Sequence, residues 1–305
     1  MIVVCGEILI DLVPDATGGY RARPGGGPAN VAVGLGRLGV DVALLGRLAG
    51  DRFGALLREH VHSSRVRLDL MARSTAPTTL AVVHLDPAGV PAFDFYIDGC
   101  ADGGWRAEEL PGSLPPGGAL HVSGSLALPV PTMGEVLDQL LSREQPYRLV
   151  SFDPNIRPSL IRDETAVRAR LRRWLRFSDV VKASEADLAW IAPGQPVETV
   201  ARGWRELGPT LVVVTRGEKG VHAVGPAGAV ELAGEPVEVV DTVGAGDAFM
   251  SGLLAALERA GRLDRPALAG LTAAELTDAL SFAQRVAAFT CGRVGADPPW
   301  DYDLR

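Results

Sequence analysis

The chain has little of what marks several other classes of protein. Its 305 residues include three cysteines, Cys5, Cys100 and Cys291, which lie far apart and without metal-binding spacing. This pattern predicts free thiols in a reducing compartment. The net charge is −7 and the basic residues are scattered, which argues against nucleic-acid binding. No apolar run reaches membrane-spanning length, and no basic region or small-residue cleavage site follows Met1. We therefore expect a cytoplasmic protein without nucleic-acid or membrane partners.

What the chain does have is an alternation of short apolar runs and helical patterns. The composition, 47% hydrophobic and 22% charged, is typical of a globular protein. Runs such as 42–46, 120–124, 149–153 and 211–215 predict buried strands, and 132–141 and 272–291 predict helices. The first run, 2–12, predicts one strand that contains two carboxylates, Glu7 and Asp11. Carboxylates in a buried run need a reason, and Asp11 is the better functional candidate.

The stretch 241–247, Asp-Thr-Val-Gly-Ala-Gly-Asp, is the most informative part of the sequence. The β-branched run 237–240 before it predicts a strand, and the apolar spacing after it predicts a helix. Glycines at such a turn let the first helical N–H groups approach a ligand, and the helix dipole favours phosphate there. Asp247 follows at the position of a base that could accept a hydroxyl proton. The simpler alternative is an aspartate favoured near a helix N-terminus.

A second glycine-rich stretch, 25–39, predicts a loop that leads into a helix. Gly26 and Gly27 can lie flat against a ligand, and Pro28 suits the first helical turn. Asn30 offers both a hydrogen-bond donor and an acceptor to a polar ligand. Residues 34–39 also satisfy the Gly-x-Gly-x-x-Gly pattern of dinucleotide-binding folds. They fall at the end of the helix, however, so a close-packing role and a helix C-cap at Gly39 are favoured over a nicotinamide site.

Together, and in this order, the two stretches resemble the signature motifs of the ribokinase-like, PfkB-type sugar kinases, and among these the bacterial fructokinases. The resemblance covers nearly the whole chain. It implies a ribokinase-like three-layer α/β/α sandwich with a mainly parallel sheet, in a single domain over 1–305. It implies ATP-dependent phosphorylation of a ketose at a primary hydroxyl, with D-fructose giving fructose 6-phosphate as the favoured reaction. The alternatives are 2-keto-3-deoxygluconate kinase, ribokinase, and a sugar-binding regulatory protein on a kinase scaffold.

The same resemblance implies roles for individual residues. Asp247 would be the general base, and the amides of Gly244, Ala245 and Gly246 would stabilise the moving phosphoryl group. Arg157 lies in an Asp-Pro-Asn-x-Arg element at 153–157 and would hold negative charge on substrate or phosphate. The sugar pocket would be formed by Asp11, Gly26, Gly27, Asn30, Phe95, Tyr96, Arg157 and Asp247. The local alternatives are a turn-capping role for Asp11 and a surface ion pair for Arg157.

The nucleotide and metal sites are implied in the same way. The nucleotide would contact Lys182, Ser184, Thr215, Gly217, Gly220, Gly246, Gln284 and Ala288. Ser184-x-x-Asp187 stands where the family has Asn-x-x-Glu, and Asp187 would act on Mg²⁺ through water. An N-cap serine with acids in the first turn fits this segment equally well. Backbone groups at Asp241, Val243, Arg293 and Gly295 would form a potassium site.

Two strand-like runs, 78–86 and 92–98, are joined by a Pro- and Gly-containing turn at 87–91 with no helix between them. They predict a hairpin. The resemblance makes this a β lid, inserted at about 69–105, that closes over the sugar. The aromatic residues at 93–96 either pack within the lid or stack on substrate. Sugar-acid kinases of the family place an arginine where this chain has Ile97. An open apolar lid face would be covered by pairing in a homodimer.

Overall fold

The computed structural model describes residues 1–15, 18–85 and 91–305. Its strands are β1 (Ile2–Cys5), β2 (Leu9–Pro14), β3 (Tyr20–Gly25), β4 (Val42–Leu45), β5 (Arg47–Ala49), β6 (Ala72–Ser74), β7 (Leu80–Leu85), β8 (Pro91–Tyr96), β9 (Ala119–Ser123), β10 (Leu149–Asp153), β11 (Val180–Ser184), β12 (Leu211–Thr215), β13 (Val221–Gly225) and β14 (Gly228–Leu232). Its α-helices are α1 (Gly27–Arg37), α2 (Arg52–Ser63), α3 (Pro131–Glu144), α4 (Glu164–Phe177), α5 (Glu185–Ile191), α6 (Val197–Leu207), α7 (Ala245–Arg259), α8 (Arg265–Ala269) and α9 (Ala273–Cys291).

The main sheet has eight strands in the order β14-β13-β12-β11-β10-β9-β1-β4. The six strands from β12 to β4 pair in parallel, and β13 and β14 add an antiparallel edge. The parallel strands are almost continuously apolar, as strands covered on both faces are. Their carboxyl ends consequently meet along one edge of the sheet.

Helices cover both faces of this sheet. Alternate residues of β1 enter different apolar clusters, Ile2 and Val4 on one side and Val3 and Cys5 on the other. The first cluster includes buried residues of α1, α7 and α9, and the second includes those of α3, α4 and α6. This arrangement confirms the predicted three-layer α/β/α sandwich with a mainly parallel sheet.

The glycines near the end of α1 are positions of close packing. A Cβ on Gly34 would overlap the Ser251 side chain of α7, and one on Gly36 would overlap the Ser64 carbonyl oxygen. Gly39 follows the helix with φ +82°, the left-handed conformation of a helix-terminating glycine. The sequence interpretation of residues 34–39 as packing and capping positions is confirmed.

A second sheet, β3-β2-β7-β8, lies apart from the first and is here called the lid sheet. Strands β7 and β8 form the predicted antiparallel hairpin, while residues 87–90 of the predicted turn, and residue 86 before it, lie outside the described residues. The prediction of one strand over 2–12 is wrong. The chain leaves the main sheet after β1 and enters the lid sheet at β2, with Gly6 at φ +148° between them. The lid sheet therefore includes residues 9–14 and 20–25 as well as part of 69–105.

The strand predicted at 237–240 is also absent, since the described chain has no strand between Leu232 and α7. Val237, Val239 and Val240 are exposed to 39%, 58% and 56%. A β-branched run therefore forms an extended loop here, because no neighbouring strand pairs with it. Within the described residues, no helix combines the length and hydropathy needed to cross a membrane.

We predict that Gly36→Ala destabilises the protein, because the new methyl group has no space against the Ser64 carbonyl. The expected loss is about 1–3 kcal/mol in the free energy of unfolding, measured by urea denaturation. Gly203→Ala is the matched control, since Gly203 lies within α6 and a Cβ there meets nothing within 4 Å. That control should be neutral or gain up to about 1 kcal/mol. Equal stability of the two variants would contradict the packing account.

Candidate active site

A cavity of about 480 Å³ opens at the carboxyl edge of the main sheet. The chain around it comes from the ends of β10 and β11, the beginnings of α1 and α7, and the lid sheet. Its lining includes Glu7, Asp11, Gly26, Gly27, Asn30, Phe93, Phe95, Ser125, Arg157, Lys182, Ser184, Asp187, Gly244, Gly246 and Asp247. The fold thus brings together residues that are up to about 240 positions apart in the sequence.

Asp247 lies in the first turn of α7 and faces the cavity. Its Oδ2 accepts a 2.8 Å hydrogen bond from Asn30 Nδ2 of α1. Enclosure in the site raises the pKa of Asp247, while the Asn30 bond and the charges of Lys182 and Arg157 oppose that shift. The result is a fixed carboxylate that still takes up a proton more readily than an exposed aspartate does.

The turn before Asp247 has the geometry of an anion site. Gly244 adopts the left-handed conformation, φ +77°, and a Cβ there would overlap Ala296. The Ala245 N–H donates to Thr242 O at 3.2 Å. The Gly246 and Asp247 N–H groups have no such partner among the described residues. Of the amides predicted to bind phosphate, Ala245 is therefore engaged in the turn, and Gly246 is available at the helix N-terminus.

Asp11 lies within β2 and lines the same cavity as Asp247. Its carboxylate packs against Gly25, where a Cβ would overlap it. Burial and then the negative charge of Asp247 raise the pKa of Asp11 to about 7, with Arg157 opposing. Asp11 therefore titrates close to neutral pH at the wall of the cavity.

The glycine loop at α1 is held by a residue that sequence reasoning did not place in the site, Glu7. Its Oε1 accepts from Gly27 N at 3.2 Å and from the Ser125 hydroxyl. A Cβ on Gly27 would lie 2.8 Å from Asn155 Nδ2, so a larger residue would displace the site amide. In the sequence, the one feature that marked Glu7 was its position as a carboxylate within an apolar run. That position gave no indication of which groups it would bind.

Two cations face these carboxylates. Arg157 donates to the carbonyl oxygens of Asn155 and Ile156 at 3.3 and 3.2 Å, and its charge opposes the rise in the pKa of Asp247 that burial causes. Lys182 Nζ donates to Asp153 Oδ2 at 2.7 Å in a buried ion pair. Within the part of the chain that the structure describes, Arg157 is thus held by its own loop and not by a surface carboxylate.

The lid contributes Phe93 and Phe95, whose rings stack at a centroid distance of 6.0 Å on the cavity side of β8. Tyr96 does not line this cavity, which corrects its assignment to the sugar pocket. Its side chain is 59% exposed and borders a different depression, because successive residues of a strand point to opposite faces. Ile97 is buried in the second apolar cluster.

A second cavity, of about 520 Å³, lies on the other side of the α7 turn. It is lined by six predicted nucleotide contacts and by residues of the loop before α7: Thr215, Gly217, Gly220, Gly246, Gln284, Ala288, Val237 and Val239. Gln284 Nε2 donates to Ala233 O at 2.8 Å and so holds α9 against this loop. Gly246 and Thr242 border both cavities. Lys182 and Ser184, also predicted to contact nucleotide, border the first cavity instead.

Ser184 and Asp187 form a capping box at the start of α5. Asp187 Oδ2 accepts from the Ser184 N–H at 2.7 Å and from its hydroxyl at 2.6 Å, while Oδ1 accepts from Ile156 N at 2.6 Å. Both oxygens therefore already have protein donors, which fits contact with Mg²⁺ through water better than direct ligation.

The loops predicted to hold potassium lie side by side. Asp241 Oδ1 accepts from Val243 N at 3.0 Å, and Oδ2 accepts from Gly295 N at 2.8 Å. Asp241 N donates to Cys291 O at 3.1 Å. The Arg293 side chain turns away to pair with Asp297 at 3.0 Å, so only its carbonyl group is a candidate ligand. The carboxylate of Asp241 thus joins the two loops from which carbonyl ligands would come.

Comparisons with known proteins agree with this geometry. The chain is 37% identical over 275 residues to a fructokinase of Rhizobium leguminosarum bv. trifolii, covering 89% of this chain and 84% of the relative. A fructokinase of Xylella fastidiosa with bound ATP is 30% identical, with a TM-score of 0.88, covering 99% of this chain and 97% of that one.

A double mutant of a Vibrio cholerae fructokinase, in fructose-, ADP- and potassium-bound form, is 30% identical with a TM-score of 0.85. The similarity covers 97% of this chain and 93% of that one. Residues 1–302 match the profile described as pfkB family carbohydrate kinase. The two cavities that meet at the α7 turn, and a match over almost the whole chain, lead to one conclusion: this protein belongs to the pfkB family of carbohydrate kinases.

Proposed function

We propose that the protein phosphorylates D-fructose with ATP to give fructose 6-phosphate. The observation that carries the proposal is the Asp247 carboxylate, fixed by Asn30 at 2.8 Å, at the helix N-terminus where the two cavities meet. A sugar in the first cavity and a nucleotide in the second would place a hydroxyl, a base and a phosphate at one point. The fructokinases to which the chain is similar supply the choice of sugar.

In the proposed reaction, Asp247 accepts the proton of the attacking primary hydroxyl. The hydroxyl oxygen forms a bond to the γ-phosphorus, and the bond between that phosphorus and the β-phosphate oxygen breaks to release ADP. The free N–H groups of Gly246 and Asp247 would stabilise charge on the moving phosphoryl group, in place of the Ala245 amide, which is engaged in the turn. Arg157 would add a fixed positive charge on the sugar side.

The sugar would be held by polar groups from both sheets. Asp11, Asn30 and the Gly26–Gly27 loop offer acceptors and donors to its hydroxyls, and Phe93 and Phe95 offer an apolar wall. Four carboxylates line the cavity, Glu7, Asp11, Asp187 and Asp247, against two cations. This negative balance favours a neutral sugar over a sugar acid such as 2-keto-3-deoxygluconate, and Ile97 supplies no cation there.

ATP would lie in the second cavity, with its ring against α9 near Gln284 and Ala288 and its phosphates toward Gly246. Mg²⁺ would arrive with ATP and neutralise phosphate charge, with Asp187 acting through water. Potassium would bind carbonyl groups of the two loops joined by Asp241, where it would stabilise the turn that holds the phosphates. A cytoplasmic location is consistent with ATP as cosubstrate and with three free cysteines.

The function is tested by ADP release with MgATP and potassium on fructose, ribose, 2-keto-3-deoxygluconate and adenosine. Turnover on fructose, with a kcat/KM well above the other three, is expected. Asp247→Asn keeps the shape and the Asn30 contact but cannot take up the proton, so kcat should fall by about 100-fold or more. Sugar affinity in that variant should change little.

Turnover on another sugar alone would contradict fructose as the substrate and keep the mechanism. Near-normal kcat in Asp247→Asn would overturn the mechanism. Binding of sugar and ATP without any turnover would support the regulatory alternative.

The pH dependence of sugar binding tests the role of Asp11. Because its pKa is raised to about 7 and the ionised form is the hydrogen-bond acceptor, fructose affinity should weaken as pH falls below about 7. The dissociation constant should rise by up to about tenfold per pH unit. Titration calorimetry from pH 5.5 to 8.5, without ATP, would measure it.

The Asp11→Asn variant should bind fructose weakly at all pH values, and its fructose affinity should no longer change with pH near 7. Asp94→Asn, which alters a lid carboxylate exposed to 69%, is the matched control and should retain the dependence. Loss of the dependence in both variants would show that it does not report on Asp11.

We also propose that the single kinase domain over 1–305 works as a homodimer joined through the lid sheet. The edge strands β3 and β8 each carry an exposed tyrosine, Tyr20 at 54% and Tyr96 at 59%. Open edges with exposed aromatic residues favour pairing with another sheet. Light scattering should give twice the chain mass of 32.1 kDa, and Tyr96→Asp should lower it. A monomer at micromolar concentration would refute the proposed dimer.

A further inference from the structure

A cation close to the α7 turn, Lys182, is of a residue type that is rare in this chain. Lys182 is one of two lysines, the other being Lys219, and the remaining 28 of the 30 lysine and arginine residues are arginines. Lys182 lies within β11, is 3% exposed, and borders the first cavity. A lysine is almost never buried to this extent without a partner.

The partner is Asp153, at the end of the neighbouring strand β10. Lys182 Nζ donates to Asp153 Oδ2 at 2.7 Å, and Asp153 is 1% exposed. Burial alone would lower the pKa of Lys182, but the charge of Asp153 and then that of Asp187 raise it overall. The ammonium group therefore keeps its proton in the interior.

The ammonium group also lies against the anion site. A Cβ added to Gly246 would be 3.1 Å from Lys182 Nζ, so the charge sits beside the first turn of α7. Gly246 borders both cavities, and its N–H has no partner among the described residues. An anion bound to that N–H would come under the direct influence of the lysine charge.

The contacts of the Lys182 ammonium group suit a lysine better than an arginine. Its Nζ lies 2.7 Å from Asp153 Oδ2 and 3.1 Å from the position of a Cβ on Gly246. A planar guanidinium is larger and has five N–H donors to satisfy. Elsewhere the chain uses arginine almost throughout, including Arg157 at the same cavity.

We propose that Lys182 is a catalytic residue that contacts the transferred phosphoryl group, and that Asp153 is the positioning residue that aims it at the α7 turn. The proposal rests on the kinase function proposed above. Lys182 keeps its proton throughout. Asp247 takes the hydroxyl proton, the new O–P bond forms, the bond to ADP breaks, and the lysine offsets the negative charge on the phosphoryl oxygens. This role differs from nucleotide binding, since Lys182 borders the sugar-side cavity.

The first test is steady-state kinetics of Lys182→Met, with Lys219→Met as the matched control because Lys219 is 59% exposed. Lys182→Met should lower kcat by roughly 100- to 1,000-fold, as loss of one transition-state contact does, with a KM for sugar within a few-fold of the original. Lys182→Arg, which keeps the positive charge, should not recover the kcat of the unmodified protein. Lys219→Met should behave as the unmodified protein does.

Removing Lys182 alone leaves Asp153 buried and unpaired, which could prevent folding. The double variant Lys182→Met/Asp153→Asn removes both charges, so it keeps the proposal testable. It should fold and bind fructose, and its kcat should remain roughly 100-fold or more below that of the unmodified protein. A folded double variant that turns over within threefold of it would overturn the proposal.

A second measurement separates this proposal from the choice of substrate. With ¹³C-labelled lysine the protein gives two side-chain NMR signals, assigned by Lys219→Met. The Lys182 signal should shift on adding ADP, Mg²⁺ and aluminium fluoride with sugar, and shift little with sugar alone. No shift with the phosphoryl analogue would overturn the role of Lys182, even if fructose is the substrate. A shift with a different sugar would sustain that role and correct the substrate.

Discussion

The site depends on how α1 and α7 lie against each other. Both helices begin at the carboxyl edge of the main sheet, so their first turns meet there, and the hydrogen bond from Asn30 to Asp247 joins them at 2.8 Å. Close approach requires small residues along the contact, which is why Gly34 faces Ser251. A larger residue along this contact would move Asp247 relative to the Gly26–Gly27 loop without altering either one directly.

A second constraint is the concentration of carboxylates in a partly enclosed space. Burial raises the pKa values of Glu7, Asp11 and Asp247, since the charged forms lose hydration. The positive charges of Arg157 and Lys182 limit this rise in pKa. A bound phosphate group would offset those positive charges and so change the pKa values of the carboxylates. The same enclosure that raises the pKa of Asp247 thus places two cations where they offset the negative charge of the carboxylates.

Much of this could be predicted from the sequence, because short motifs encode local backbone geometry. The glycines of 241–247 and the position of Asp247 behind them predicted a helix N-terminus with a carboxylate in its first turn, and the structure has one. The alternation of apolar runs predicted the layered α/β fold. Substrate preference was less accessible, because it depends on side chains from several elements. Tyr96 was placed in the pocket although strand alternation turns it away, while Phe93 on the opposite face lines it.

The sequence by itself determined most of the segments that form strands and helices, where α7 begins, and which residues carry carboxylates and other hydrogen-bonding groups. Only the tertiary structure decided which of these groups meet. It placed β2 in the lid sheet and left 237–240 as a loop beside the second cavity, because strand pairing depends on partners far away in the chain. It also aimed Glu7 at Gly27 and joined Lys182 to Asp153. These contacts arise where parallel strands end side by side, and no local pattern records that proximity.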